Sequence, residues 1–220
     1  MAVRHAAVKR PVVYGHETAA IRPCVKRVLW HRLTMITPSS GPPDEAALHE
    51  TALSYLARYT ATESGLIAVL DRKIERWARG ARERDNLVEQ MATAKAIART
   101  VVAHLVAAGA VSDTVFAENR ARSLVRAGRS RRTVTATLAA KGVDAALVRA
   151  SVPDDAETEL GAALVLARKR RIGPFRTREP NRIREFGILA RNGFPHAIVE
   201  QALDMDLAEA ETRIQQLRQS

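Results

Sequence analysis

Along most of this chain, apolar residues recur at steps of three and four, the period of a helix with one buried face. From Asp44 onward Ala47, Leu48, Thr51, Ala52, Tyr55 and Leu56 share such a face. Thr60-Ala61-Thr62-Glu63 then has the form of a capping box and opens a second helix carrying Leu66, Leu70, Ile74 and Trp77. Between Asn86 and Gly109 the pattern is strongest, with Leu87, Met91, Ala94, Ala98, Val101, Leu105 and Ala108 in line and Gly109 as the stop. Asp113 is placed to cap a helix bearing Phe116, Ala117, Leu124 and Val125. Asp154 or Asp155 starts another, with Leu160, Ala163, Leu164 and Ala167, and Asp206 to Arg218 carries Leu207, Ala210, Ile214 and Leu217 on one face.

The pattern repeats. Leu138-Ala139-Ala140-Lys141-Gly142-Val143-Asp144 is echoed 51 residues later by Leu189-Ala190-Arg191-Asn192-Gly193-Phe194-Pro195. Leu147, Val148 and Val152 match Ile198, Val199 and Leu203. Each copy predicts a helix ended by a left-handed glycine, then an apolar residue that staples onto the next short helix, Val143 on Val148 and Phe194 on Val199. Self-similarity at roughly 50 residues is the mark of a helical array. The expected fold is all-α: three tandem three-helix, helix-turn-helix-like repeats in an elongated array. Residues 44–111 form a divergent first repeat, 112–153 the second, 154–205 the third and 206–220 a terminal helix that packs on the third repeat or binds a partner.

Residues 1–43 stand apart, with seven basic residues against Glu17 alone and a closing Pro38-Ser39-Ser40-Gly41-Pro42-Pro43 run. They are expected to be a flexible basic arm and linker. Over the whole chain the apolar share is 46%, with aromatics only 4%, which suits close-packed helices better than a β-sandwich. The net charge of +11 predicts attraction to polyanions. Cys24 is the only cysteine, so an intramolecular disulfide is excluded. No stretch has the length and apolarity of a membrane span or the form of a secretory leader, and a soluble, cytoplasmic, monomeric protein is expected.

The residues from Val111-Ser112-Asp113-Thr114-Val115-Phe116-Ala117, through Arg126-Ala127-Gly128-Arg129-Ser130-Arg131-Arg132, to Leu138-Ala139-Ala140-Lys141-Gly142-Val143 resemble the central repeat of the RecX regulatory proteins. Ala52-Leu53-Ser54-Tyr55-Leu56-Ala57-Arg58 is similar to the opening of that family's first repeat. The likeness covers residues 44–205. It departs where the first repeat should end its second helix with Lys-Gly: Lys73 is followed by Ile74, and about 17 extra residues intervene before Val101. The resemblance implies a regulator without catalytic activity that lodges in the groove of the RecA filament on single-stranded DNA. It also implies restraint of ATP hydrolysis and strand exchange.

Two basic clusters are the candidate surface for DNA or RecA. Arg122, Arg126, Arg129, Arg131 and Arg132, beside Arg120, are the candidates of the first, and Arg168, Lys169, Arg170, Arg171, Arg176 and Arg178 those of the second, which runs on through Glu179 to Arg182 and Arg184. Both occupy the end of a repeat's first helix and the loop into its second, so stacked repeats bring them to one side. The guanidinium fork suits phosphate or carboxylate oxygens, although cations at helix C-termini are also favoured by the helix dipole alone. Phe175 and Phe194 lie near basic loops, but core packing accounts for Phe194 through the staple, and Phe116 belongs to the core by spacing. Trp77, beside Arg76 and Arg79, fits either role. The six histidines show no ligand spacing and no phosphate-binding Gly-Lys loop is present, so no metal, cofactor or catalytic residue is expected. A competing reading is a helix-turn-helix transcription factor, whose recognition helix would offer Arg131, Arg132, Thr133, Thr135 and Thr137.

Overall fold

The computed structural model describes residues 41–81 and 86–219, so the basic arm lies outside the described residues. Among these residues the fold is all-α, with no strand. The helices are α1 (Glu45–Leu56), α2 (Glu63–Gly80), α3 (Leu87–Ala107), α4 (Asp113–Arg126), α5 (Arg131–Ala139), α6 (Ala145–Ser151) and α7 (Ala156–Arg170). After α7 comes a 3₁₀ turn (Gly173–Phe175), then α8 (Arg182–Arg191), α9 (His196–Asp204) and α10 (Leu207–Gln219). Three-helix repeats follow one another, and α10 lies against α7. None of the described helices is long and apolar enough to cross a membrane.

Two cores hold the repeats. The first repeat buries Leu48, Ala52, Leu66, Leu70, Ile74, Ala98, Val101 and Leu105 among themselves. The second and third share one core, in which Ala121, Val134, Leu138, Leu164, Leu189, Phe194, Val199 and Ile214 meet. The staple pairs are all buried there: Val143 with Val148, and Phe194 with Val199. Phe116 and Phe175 pack at its margin. Periodicity gave α7 one apolar face, but every residue from Leu160 to Ala167 is buried. The cause is that α4, α9 and α10 all pack on it, and Gly161 leaves room for the Leu217 side chain.

Helix starts differ from expectation in two places. The Thr60 capping box does not form; Thr62 is the N-cap of α2, accepting from the Gly65 amide at 3.0 Å. Likewise Ser112, not Asp113, caps α4 through the Val115 amide. Asp113 is thereby released to serve another helix, and its Oδ1 accepts the Glu63 N–H of α2 at 2.8 Å.

In the first repeat, α2 continues through Lys73 because Ile74, unlike the glycines at 142 and 193, cannot supply a left-handed turn. The additional residues lengthen α2 and α3 into a helical hairpin. Lys73 turns inward instead, donating to the Ala47 carbonyl at 3.1 Å and so tying α2 to α1.

Successive repeats meet through the same polar joint. Thr62, the N-cap of α2, donates its hydroxyl to the Lys141 carbonyl at 2.7 Å. Ser130, the N-cap of α5, donates to the Asn192 carbonyl at 2.6 Å. The next amide in each helix goes to a carboxylate of the following repeat: Glu63 N–H to Asp113, and Arg131 N–H to Glu159 at 2.9 Å. Thr62 and Ser130 are 1% and 0% exposed, which makes these hydroxyls part of the interior. Gly142 and Gly193, at φ +74° and +90°, close the helix ends that receive them. A methyl group at Gly142 would lie 2.9 Å from Ser64 Cβ, and one at Gly193 2.8 Å from Ser130 Oγ.

Candidate functional site

The end of α4 and the loop into α5 press against α7. Gly128, at φ +78°, is so close that an added Cβ would stand 2.9 Å from the Leu166 amide nitrogen. From α7, Lys169 Nζ reaches back to the Ala127 carbonyl at 2.7 Å. The end of the first basic cluster and the start of the second therefore meet at the junction of the second and third repeats. α7 itself ends on Arg171 in the left-handed conformation, φ +55°, and the 3₁₀ turn leads to Arg176 and Arg178.

The eleven candidate residues divide by what holds them. Arg131 pairs with Asp154, Arg122 donates to Asn119 Oδ1 at 2.9 Å, and Lys169 caps α4. Arg176 lies 3.4 Å from Glu185 Oε2, a carboxylate only 6% exposed that also accepts the buried Gly173 N–H at 3.1 Å. By contrast the side chains of Arg126, Arg129, Arg132, Arg168, Arg170, Arg171 and Arg178 make no hydrogen bond or ion pair with a described residue. All but Arg168 are exposed, and Arg168 is half-buried. These seven are charges without internal partners among the described residues.

Three concave surfaces carry seven of the eleven candidate side chains. Arg122 and Arg126 edge an open cleft on α4. Arg170, Arg171, Arg176, Arg178 and Arg184 line a cleft of about 280 Å3 in the third repeat. Arg132 faces a wider groove of about 700 Å3 between α5 and the end of α8, together with Lys141 and Arg191. Among the described residues no carboxylate lines that groove. Neither Lys141 nor Arg191 belongs to the two basic clusters legible in the sequence. Arg191 reaches the groove because the repeat sets the end of α8 against α5, whereas Lys141 stands just past the end of α5 itself.

Electrostatics reinforce the division. Half-burial pushes the Glu159 carboxyl above its ordinary range, and the hydrogen bond from the Arg131 amide and the Arg131 charge pull it back down. At the third repeat, Arg182 donates to Asp204, holding that carboxyl below its ordinary range.

Three of the five residues of the candidate recognition helix, Arg131, Thr133 and Thr137, are engaged internally, whereas Arg132 and Thr135 are exposed. Thr133 Oγ1 donates to the Asn192 carbonyl at 3.1 Å and Thr137 Oγ1 to the Thr133 carbonyl at 2.7 Å, while the third repeat covers the start of α5. That leaves few polar side chains free to read base edges. Trp77 is half-buried on the α2 hairpin. No cluster of metal-ligating side chains occurs among the described residues.

Comparison with known proteins places the second repeat first. Residues 112–151, which hold α4 to α6, match the family model described as RecX, second three-helix domain. A regulatory protein RecX of Myxococcus xanthus is 40% identical over 168 residues, which cover 73% of this chain and 86% of that protein. A regulatory protein RecX of Agrobacterium fabrum is 36% identical over 123 residues, 54% of this chain and 66% of that protein.

Proposed function

We propose, for a chain that belongs to the RecX family of regulatory proteins, that it binds the RecA filament on single-stranded DNA and restrains its ATP hydrolysis and strand exchange. The action is by binding, without catalysis, in the cytoplasm and as a monomer. The observation that carries this reading is the set of seven arginines that have no internal partner among the described residues, spread over the second and third repeats.

Such arginines neutralise backbone phosphates and carry little sequence information, so contact with DNA is largely non-specific. Lodged in the filament groove, a rigid body of this kind stands where a second DNA must enter. In this reading, with repeats at 44–111, 112–153 and 154–205, the binding surface lies on the last two. A sequence-reading transcription factor is disfavoured by the internal commitments of Thr133 and Thr137.

Fluorescence anisotropy tests the reading with labelled single strands of differing sequence, bare and coated with RecA. The expected result is tighter binding to the coated strand, with little dependence on sequence. Equal affinity with and without RecA, or a marked preference for one strand sequence, contradicts it.

A further inference from the structure

The polar joint between repeats is made twice within the chain, and the third repeat presents its first half again with no described residue seated on it. Fifty-one residues after Ser130, Arg131 and Arg132 stand Asn181, Arg182 and Ile183. They occupy the same three positions: N-cap, first and second residues of a repeat's second helix. Asn181 Oδ1 accepts the Arg184 amide at 3.0 Å, as Ser130 accepts that of Thr133, and this orients the amide so that Nδ2 is left as a donor. That nitrogen gives its protons to no described residue, and neither does the Arg182 backbone N–H. In the first two repeats the equivalent donors go to a glycine-closed helix end and to a carboxylate.

The side chain at the third position makes the contrast sharper. Ser64 and Arg132 lie against the next repeat's glycine. Ile183, their counterpart, is 90% exposed, an isolated apolar side chain between Arg182 and Arg184. We infer that the start of α8, through Asn181, the Arg182 amide and Ile183, is a docking joint for a partner protein, which supplies a glycine-closed helix C-terminus with a carboxylate beside it.

Charge agrees with that occupant. A helix C-terminus is the negative end of its dipole, and the joint is flanked by Arg178 and Arg184, which outnumber the neighbouring Glu179. The chain's own segments fit poorly. Residues 1–40 carry seven bases against one acid. The helix ends at Gly142 and Gly193 are already occupied, and α2 has no glycine turn at Ile74. Gly109 of a second copy is open, but the neighbouring Asp113 is committed to Glu63, and a net charge of +11 opposes self-association.

This inference rests on the filament reading, in which the partner protein is the RecA component. The test measures binding of the full chain to RecA-coated single strands and to the same strands bare. Ile183→Asn removes the exposed apolar side chain, and Asn181→Asp keeps the helix cap while removing the donor. Asn181→Ser installs the hydroxyl that serves at position 130. The first two variants are expected to lose about fivefold to tenfold in affinity for the coated strand, with bare-strand binding within about twofold. Asn181→Ser is expected to bind as the parent does.

Variants that bind coated strands as tightly as the parent overturn the joint alone. Equal losses on bare DNA overturn its assignment to a protein partner. A parent chain that does not distinguish coated from bare strands overturns the filament reading and this inference with it. A parent chain that self-associates in sedimentation, with Ile183→Asn abolishing the association, overturns the partner assignment in favour of a second copy.

Discussion

Ser130 sits 62 residues from Asn192, yet its hydroxyl donates to the Asn192 carbonyl at 2.6 Å while its oxygen caps α5. One side chain thus satisfies orphan groups at the start of one helix and the end of another, in different repeats. Ser130→Ala removes both bonds, although Thr133 Oγ1 still reaches the same carbonyl. A loss of about 1–2 kcal/mol is expected. Urea unfolding checks it, through a lower midpoint at unchanged slope. Ser130→Thr, which copies the Thr62 joint, should stay within about 0.5 kcal/mol of the parent.

The glycines separate backbone strain from crowding at the joint. Gly109 and Gly193 both have positive φ, but only Gly193 has a neighbour, Ser130 Oγ, where a methyl group would go. Gly109→Ala should therefore cost about 1 kcal/mol, the left-handed strain alone. Gly193→Ala should cost clearly more, because Ser130 is itself held in place. Thermal unfolding of the two variants side by side shows whether that order holds.

Acid should loosen the third repeat through Asp204. Its folded value is lowered chiefly by the hydrogen bond from Arg182, so the pair stabilises at pH above the ordinary aspartate range. That contribution fades as pH falls through the lowered value. Asp204→Asn should flatten the acid limb of a stability–pH profile. Glu159 acts in the opposite sense: burial raises its carboxyl, so the stability it contributes is present at low pH and lost as pH rises through the folded value. Glu159→Gln keeps an acceptor for the Arg131 amide and should remove that decline.

Arginines with and without internal partners should behave differently when truncated. Replacing Arg126, Arg129, Arg170 and Arg171 by Ala is expected to weaken DNA binding without lowering the thermal midpoint. For every phosphate that is no longer neutralised, the slope of log affinity against log salt on single strands should become shallower by about 0.7. Arg176→Ala instead frees the buried Glu185 carboxylate from its cation and should destabilise the fold. Salt-titrated binding and calorimetry on the same preparations distinguish the two groups.

Local signals in the chain were enough for the helices and for the offset of 51 residues, because period and glycine stops are short-range features. Gly109, Gly142 and Gly193 all close helices as their positions implied. Capping was less legible. Ser112 and Asp113 are both good caps, and only the approach of α2 explains why the serine takes the local role and the aspartate the distant one. The burial of α7 on all sides follows from α10, whose own amphipathic pattern does not say what it covers. Both basic clusters could be found by composition. Their division into paired and unpaired arginines could not, since Asp154 is 23 residues from Arg131 and Glu185 lies beyond a turn from Arg176.

The most direct test of the central claim is RecA's ATP hydrolysis on single-stranded DNA, with the full chain titrated in and strand exchange followed alongside. The account predicts inhibition of both at sub-stoichiometric amounts, and weaker inhibition by the chain lacking Arg126, Arg129, Arg170 and Arg171. Undiminished hydrolysis and exchange up to saturating protein would contradict it.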